Sequence, residues 1–269
     1  MKSNMIEMIT GMPVRCPYLF GRRVCNMKNS NADLVRFCIG KVGVPYVMGT
    51  NGRVLTKAVL NDLTRRNPGK WFTASRLQAV RSWVGKRTTD CHGLIEWFMA
   101  ELAGGKWTYD VTADGAFNSA TVKGSIGSIP ELPGICVRYK GHVGVYIGGG
   151  YVVEARGFDY GVCISALKKC PWTHWYKHPK IRYAGTALLA PSPAKVGKTT
   201  DRYSIVWLQL ALNRQIREGY ITGTVLTVDG VYGKKTAVAT GTYWHKKGWT
   251  TKNEVWGVGK NTVKALQKI

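Results

Sequence analysis

The sequence predicts an α+β fold, a helix packed on an antiparallel sheet, followed by a small all-α domain of three helices. Apolar residues between positions 94 and 102 recur at helical spacing. Residues 135–156 read as two or three strands, and the Gly148-Gly149-Gly150 run marks a hairpin turn. After a Pro-Ser-Pro segment, residues 199–269 carry three apolar helical patterns. The hydrophobic fraction of 45% is sufficient to fill the cores of both parts.

A cysteine stands at the start of the first of these helices. One of the three polar residues 88–90 is expected to accept a hydrogen bond from the amides of the first turn. The unpaired amides and the helix dipole at this end favour an anion, so we expect the thiolate form of Cys91 to be stabilised. A thiolate is a ready nucleophile if a base lies within reach. The structural alternative is a small buried cysteine.

The hairpin supplies a candidate base and a candidate acid. His142, Gly144 and Tyr146 share one face of their strand, because successive side chains alternate. If the pairing keeps even-numbered residues together, Glu154 on the return strand lies on the same face as His142, directly opposite or diagonal to it. Gly144 leaves open space over the sheet, which a helix end is expected to approach. Cysteine, histidine and carboxylate together outline a thiol-based catalytic triad.

These stretches resemble the NlpC/p60 family of cell-wall cysteine peptidases, which are papain-like in fold. Asp90-Cys91-His92-Gly93 stands where the family has Asp-Cys-Ser-Gly, and Gly141-His142-Val143-Gly144 matches the family's histidine motif. Glu154 falls twelve positions after the histidine, where the family has a polar third residue. The resemblance covers residues 32–185 and implies that Cys91 is the nucleophile, His142 the base and Glu154 the residue that orients the base.

The resemblance also implies three substrate-binding residues. Tyr46, next to Pro45 and close to Gly49, matches an aromatic motif upstream of the family's cysteine. Tyr46 and Asp90 occupy positions that hold the amino end of the substrate, and His92 replaces a serine that helps to hold the substrate backbone.

Residues 51–88 form a longer connection than is usual for this family. They predict two helices, 54–66 and 73–84, separated by the Asn67-Pro68-Gly69 turn. Both helices carry basic residues. We interpret them as an inserted helical pair whose default role is packing and whose alternative role is to grip an anionic substrate.

The C-terminal part reads as a separate module. We expect a catalytic domain over residues 1–189, a linker at 190–198 and a second domain at 199–269. The turn Val228-Asp229-Gly230 precedes one helix, and a related turn, in which Val255-Trp256 replaces the usual Asp-Gly, precedes another. This pattern resembles the three-helix peptidoglycan-binding domain of cell-wall hydrolases. Its tryptophans are candidates for stacking on sugars or for packing in a small core.

Composition limits the partners and the location. The net charge is +24, from 39 basic against 15 acidic residues, which favours a polyanionic partner such as an anionic wall polymer. We find no nucleic-acid motif, no apolar run long enough for a membrane span and no apolar core of a signal peptide. We therefore expect a protein made in the cytoplasm, or one that leaves by a route that needs no cleaved signal. Together with the resemblance to a wall-binding domain, these features are similar to those of phage endolysins, which implies action on the bacterial wall after phage-mediated release.

Seven cysteines leave at least one outside any intramolecular disulfide. Cys16 with Cys25, and Cys163 with Cys170, are each spaced to close a small loop, although we favour reduced thiols. No cysteine or histidine spacing suits zinc, and we expect neither a metal nor another cofactor.

The sequence thus predicts an endolysin-like peptidoglycan hydrolase. The expected reaction is cleavage of stem-peptide bonds, with the γ-D-glutamyl bond to a diamino acid implied by the resemblance. Two alternatives stay open: an N-acetylmuramoyl-L-alanine amidase that uses the same triad, and a non-catalytic wall-binding or phage structural protein. Peptidoglycan is the expected partner.

Overall fold

The computed structural model describes residues 18–19, 22–23, 28–67, 69, 71–184, 188–192 and 194–267. The chain mixes α-helices with antiparallel sheets. The helices are α1 (Asn31–Gly40), α2 (Lys57–Arg66), α3 (Ala74–Arg81), α4 (Gly93–Leu102), α5 (Ala113–Ser119), α6 (Arg202–Arg217), α7 (Lys234–Lys246) and α8 (Lys260–Gln267). The strands are β1 (Tyr18–Leu19), β2 (Arg22–Arg23), β3 (Asn51–Val54), β4 (Arg87–Thr89), β5 (Lys123–Ser125), β6 (Cys136–Tyr139), β7 (His142–Gly148), β8 (Tyr151–Ala155), β9 (Val162–Ala166), β10 (His174–Tyr176), β11 (Val196–Gly197) and β12 (Gly257–Val258).

A six-stranded antiparallel sheet forms the centre of the molecule, with the strand order β5-β10-β6-β7-β8-β9. The predicted hairpin is confirmed, because β7 and β8 pair around the glycine run 148–150. Within that run Gly148, Gly149 and Gly150 all have positive φ, a conformation that other residues rarely adopt.

The two faces of this sheet are buried by different parts of the chain. Val143 and Val145 on one face belong to the main hydrophobic core together with Leu34 of α1 and Leu94 of α4. Tyr146 on the other face belongs to a second cluster, whose members are Ile135, Val137, Tyr146, Val152 and Trp172. The strands are therefore buried on both sides, and α4 is packed on the face opposite to that cluster.

The insertion at residues 51–88 forms its own small layer. Both predicted helices are present as α2 and α3, and the side chains of Thr56 and Thr73 cap their first turns. The flanking strands β3 and β4 pair with each other, so the insertion begins and ends at one place. A third hydrophobic cluster lies beneath the helices and consists of Val47, Leu55, Leu60, Leu63, Phe72 and Val80.

The stretch 105–133, which is rich in Gly, Thr and Ser, contains α5. The side chain of Thr112 accepts the amide of Gly115, and Ala113 and Ala116 are buried against the main core. The Gly-, Thr- and Ser-rich composition concealed this helix, because its buried residues are only alanines and its length is seven residues.

The helices α6, α7 and α8 surround a core of their own. Its largest fully buried side chains are Tyr243 of α7 and Leu208 of α6. The short strand β11 pairs with β12, so Val196 and Gly197 join this part of the structure although they lie within the range expected as a linker. The side chain of Gln209 binds the Asp229-Gly230 turn through three hydrogen bonds of 2.8–3.1 Å.

Contacts cross from this helical part to the turn after α1 and to the sheet. The Arg202 guanidinium donates to the Val42 carbonyl at 2.6 Å, and the Tyr151 hydroxyl donates to the Leu226 carbonyl at 3.1 Å. Tyr203, with Val206 and Val228, is buried within the main core. We name this contact the α6–sheet interface. The domain boundary at residue 199 stays a prediction.

The structure bears on two further expectations, one about disulfide bonds and one about membrane spans. Cys163 and Cys170 are free thiols, in agreement with the reduced state that we favoured, whereas the Cys16–Cys25 pair lies outside the described residues. Among the helices that the structure describes, none combines the length and the hydropathy that crossing a bilayer requires.

Candidate active site

Cys91 lies in the turn between β4 and α4, where hydrogen bonds fix the backbone. The amide of Asp90 donates to the Thr50 carbonyl at 2.7 Å. The Asp90 carboxylate accepts the amides of Gly49 and Gly93 at 2.9 and 2.8 Å, so one of the three predicted capping residues does cap the helix. A Cβ at Gly93 would lie 2.2 Å from the Thr50 carbonyl oxygen, and only glycine fits there.

The thiol of Cys91 lies against the backbone on both sides of His142. Its Sγ donates toward the Gly141 carbonyl at 3.9 Å, and the amide of Val143 donates to the sulfur. Burial, reinforced by the charge of Asp90, raises the pKa of the Cys91 thiol to about 12, although amides of the first turn favour the thiolate. Burial therefore outweighs the stabilisation of the thiolate by the helix start, and the neutral thiol needs a base.

We expect Cys91 to stay protonated at neutral pH. A raised pKa means that the neutral form persists to higher pH, so the thiolate absorbance should not differ between the protein and its Cys91→Ser variant from about pH 5 to about pH 9. The measurement is a pH titration of the ultraviolet difference spectrum. A titration step centred below neutral pH would show a thiolate–imidazolium pair and would contradict this expectation.

His142 and Glu154 form a buried hydrogen-bonded pair. The His142 Nε2 lies 2.8 Å from Glu154 Oε2. The other carboxylate oxygen accepts hydrogen bonds from the Ser165 hydroxyl and, at 3.3 Å, from the Cys170 thiol. Burial alone would raise the pKa of Glu154, but the hydrogen bonds from His142 and Ser165 outweigh burial and hold this pKa below its ordinary value. Glu154 is therefore an anion that fixes one ring nitrogen of the histidine.

The strand register explains this pair. Val145 is opposite Val153 in the antiparallel pairing, so Glu154 comes opposite Gly144 and diagonal to His142. The prediction that His142 and Glu154 share a face is confirmed. Because Nε2 binds the carboxylate, Nδ1 is the ring nitrogen that can take the proton of the thiol.

Two aromatic rings pack against the imidazole of His142. The ring of Trp172 stacks on His142 with centroids 5.4 Å apart and planes at 15°, and Tyr139 lies 5.0 Å from the same ring. The space over Gly144 is filled by Trp172 and not by a helix end, because a Cβ at Gly144 would come within 3.1 Å of the indole and 2.5 Å of Val152.

Tyr46 lies next to the nucleophile. It bridges to β4 beside the Cys91 turn, and it packs edge-on against Phe158 at 5.3 Å. Its hydroxyl points to the Met48 sulfur at 3.9 Å. Burial, followed by the charges of Cys91 and Asp90, raises the pKa of Tyr46 well above its ordinary value. Burial also raises the pKa of Asp90, to about 6. The structure thus brings Tyr46, Asp90 and Cys91 together.

The side chain of His92 turns into the interior. It is 3% exposed, and its Nδ1 lies 2.9 Å from Glu96 Oε1. Its Nε2 lies 3.4 Å from the Nε2 of His178. Burial lowers the pKa of His178 to about 3, so that ring is neutral. This placement gives His92 internal hydrogen bonds in place of the predicted contact with substrate.

Three residues around the triad were missed by sequence reasoning. Ser165 is recoverable from alternation, because it lies two positions after Cys163, the register partner of Glu154. No pattern marks Trp172 or Cys170, which reach the site from a loop after β9. Within the described ranges, no group of three or more His, Cys, Asp or Glu side chains is arranged to hold a metal ion.

Comparisons with known proteins give a distant structural likeness. No protein-family model matches the chain, and no curated protein matches it. NlpC2 from Trichomonas vaginalis aligns with 58% of this chain and 48% of its own, at 19% identity and a TM-score of 0.37. The NlpC/p60 domain of the peptidoglycan hydrolase SagA aligns over 55% of this chain and 98% of its own, at 16% identity and a TM-score of 0.35.

A third solved structure, the peptidoglycan hydrolase RipB from Mycobacterium tuberculosis, aligns over 57% of this chain and 67% of its own, at 20% identity and a TM-score of 0.33. The chain therefore spans about half the length of NlpC2 and nearly all of the SagA domain. At these identities and TM-scores the likeness does not by itself assign an activity, and the functional argument depends on the geometry of Cys91, His142 and Glu154.

Proposed function

We propose that the chain is a peptidoglycan hydrolase that cleaves stem-peptide bonds by a thiol mechanism. The proposal depends on the hydrogen bonds that surround His142. One ring nitrogen is fixed on the Glu154 anion, and the Cys91 thiol lies against the backbone on either side of the histidine. A nucleophile, a base and a group that orients the base are the parts that acyl transfer requires.

The proposed reaction proceeds through a thioester. His142 Nδ1 takes the proton from Cys91 Sγ as the sulfur attacks the scissile carbonyl carbon. Amides at the start of α4 donate to the oxygen that becomes negative. The C–N bond then breaks, and the amine leaves with the proton from His142. Water, deprotonated by the same ring, attacks the thioester and releases the acid and the free thiol.

We place the scissile bond between a γ-linked D-glutamyl residue and a diamino acid, following the family resemblance. In this assignment Tyr46 and Asp90 hold the amino end of the substrate. Each Asp90 oxygen accepts one backbone hydrogen bond, and a carboxylate oxygen has a second lone pair for an ammonium group. His92 acts indirectly here, because its ring is held by Glu96 within the interior.

Digestion of purified sacculi tests the proposal. Mass spectrometry of the soluble products identifies the bond that is cut by its new amino end. A new amino group on the diamino acid supports the stem-peptide assignment. A new amino group on L-alanine would identify an amidase with the same triad, and intact sacculi would leave only a binding role.

We further propose that the C-terminal helices bind the wall, in keeping with an endolysin-like role for the whole chain. A shallow surface cleft, here named the Trp cleft, lies at the start of α8 and is lined by Trp244, Trp249, Gly259, Lys260, Asn261 and Thr262. Trp244 is fixed by a hydrogen bond to Thr262 at 3.1 Å, whereas Trp249 is 44% exposed. An exposed indole beside amide, hydroxyl and ammonium groups suits a sugar that carries polar substituents.

We therefore expect Trp249→Ala to weaken pelleting with purified sacculi by about tenfold, since loss of one stacked aromatic costs on the order of 1–2 kcal/mol. Trp256→Ala is the matched control, because Trp256 is 40% exposed but lies outside the Trp cleft. The measurement is a binding isotherm over a salt series. Equal loss in both variants, or no loss in either, would mean that the Trp cleft does not bind the wall.

A further inference from the structure

The inserted helix α3 reaches the surroundings of the nucleophile through two aromatic rings. The guanidinium of Arg76 lies over the ring of Phe158, 5.0 Å from its centroid. Phe158 packs edge-on against Tyr46, with centroids 5.3 Å apart, and Tyr46 is the neighbour of Cys91 described above. The insertion therefore contributes a cation on the side of the site where Tyr46 lies.

Other basic residues of the insertion already have a carboxylate. Arg65 and Arg66 both bind Asp62, at 2.7 and 2.5 Å. Arg76 forms no ion pair with any carboxylate in the part of the chain that the structure describes. Its side chain is half-buried and is held by the Phe158 ring, which limits the entropy that it would lose when it binds a ligand.

The charge of Arg76 affects the ionisation of Tyr46. Although burial dominates the raised pKa of Tyr46, Arg76 acts in the opposite direction and favours the phenolate. In the proposed function Tyr46 and Asp90 hold the ammonium at the amino end of the substrate, so the group that a guanidinium on the Tyr46 side would attract is the next charged group along the stem peptide. The matching ligand of a planar guanidinium is a carboxylate, which it can bind through two parallel hydrogen bonds.

We infer that Arg76 is a specificity-determining residue that binds a free carboxylate of the substrate next to the scissile bond. This inference is built on the proposed function. A γ-linked D-glutamyl residue keeps its α-carboxylate, which is one residue position from the bond that breaks. In walls where this group is an amide, the negative charge is absent. The enzyme should therefore distinguish stem peptides that carry the acid from those that carry the amide.

The test uses two synthetic peptides, L-Ala-γ-D-Glu-diamino acid and its α-amide, with the full-length chain. We expect the unmodified protein to favour the acid by about 10- to 100-fold in kcat/KM, as for a charge-assisted hydrogen bond of about 1.5–3 kcal/mol. In Arg76→Ala the loss should fall almost entirely on the acid peptide, so that the preference ratio approaches one. Arg76→Lys should retain an intermediate ratio, because it keeps the charge without the planar fork.

Arg81→Ala is the matched control, since Arg81 is an exposed basic residue of the same helix. It should leave both rates and their ratio unchanged. An equal loss on acid and amide in Arg76→Ala would mean that Arg76 only supports Phe158, and equal cleavage of both peptides by the unmodified protein would also overturn the inference. Failure of the unmodified protein to cleave either peptide while it still digests sacculi at another bond would instead overturn the proposed function.

Discussion

Cys91→Ala is expected to abolish cleavage of sacculi and of soluble stem peptides, with a loss of about 10³-fold or more in kcat. The sulfur forms the covalent bond in the proposed reaction, so no other group in the triad replaces it. The fold should survive, because alanine keeps the Cβ and the Asp90 cap of α4 does not involve the thiol. We expect a change of about 1 kcal/mol or less in the free energy of unfolding.

The measurement pairs lysis assays with thermal unfolding. Cys38→Ala provides the matched control, because Cys38 is a fully buried thiol in α1 that is absent from the proposed chemistry. That variant should keep its activity while it loses a comparable amount of stability. Activity of Cys91→Ala within a few-fold of the unmodified protein would remove Cys91 from the reaction.

Glu154→Ala is expected to lower kcat by about 10³-fold, because it removes the anion that fixes His142 and stabilises the imidazolium formed during attack. Glu154→Gln should retain more activity. Its amide oxygen can accept from His142 Nε2, and its NH₂ group can face Ser165, whose hydroxyl accepts as well as donates. We expect a loss of about 10- to 100-fold for this variant.

The informative quantity is the ratio of kcat in Glu154→Gln to kcat in Glu154→Ala, measured on a soluble peptide. Ser165→Ala serves as a milder control, because it removes one hydrogen bond to Glu154 and leaves the bond to His142. Full activity in both Glu154 variants would mean that the carboxylate has no part in the reaction. A larger loss in Gln than in Ala would mean that the amide turns the histidine to the wrong tautomer.

The parts of the site that depend on the regular spacing of residues within one strand or one helix were predictable from the sequence. Alternation along β7 and β8 placed His142 and Glu154 on one face, and helical spacing placed Cys91 before α4. Long-range packing was not predictable. Trp172 fills the space over Gly144 from a loop nearly 30 positions later in the chain, and nothing in the local sequence marks that contact.

The ionisation of Cys91 shows a second limit. Sequence reasoning identified the helix dipole, which favours the thiolate, but the extent of burial depends on the whole fold and outweighs it. His178 shows the same limit, since its partner His92 is 86 positions away and lies inside the molecule. The inserted helices were predictable as helices, whereas the approach of Arg76 to Phe158 depends on how α3 lies against the β8–β9 loop.

The α6–sheet interface bears on how the proposed binding to the wall would position Cys91. A binding module on a flexible linker would allow the catalytic site to reach any bond within the length of the linker from each anchoring point. Arg202 and Tyr151 bind across the interface and Tyr203 is buried in it, so these contacts hold the helical part with the Trp cleft against the part that carries Cys91. If the Trp cleft binds the wall as proposed, each anchored molecule would reach only stem peptides within a narrow range of distances and would have to dissociate before it reached others.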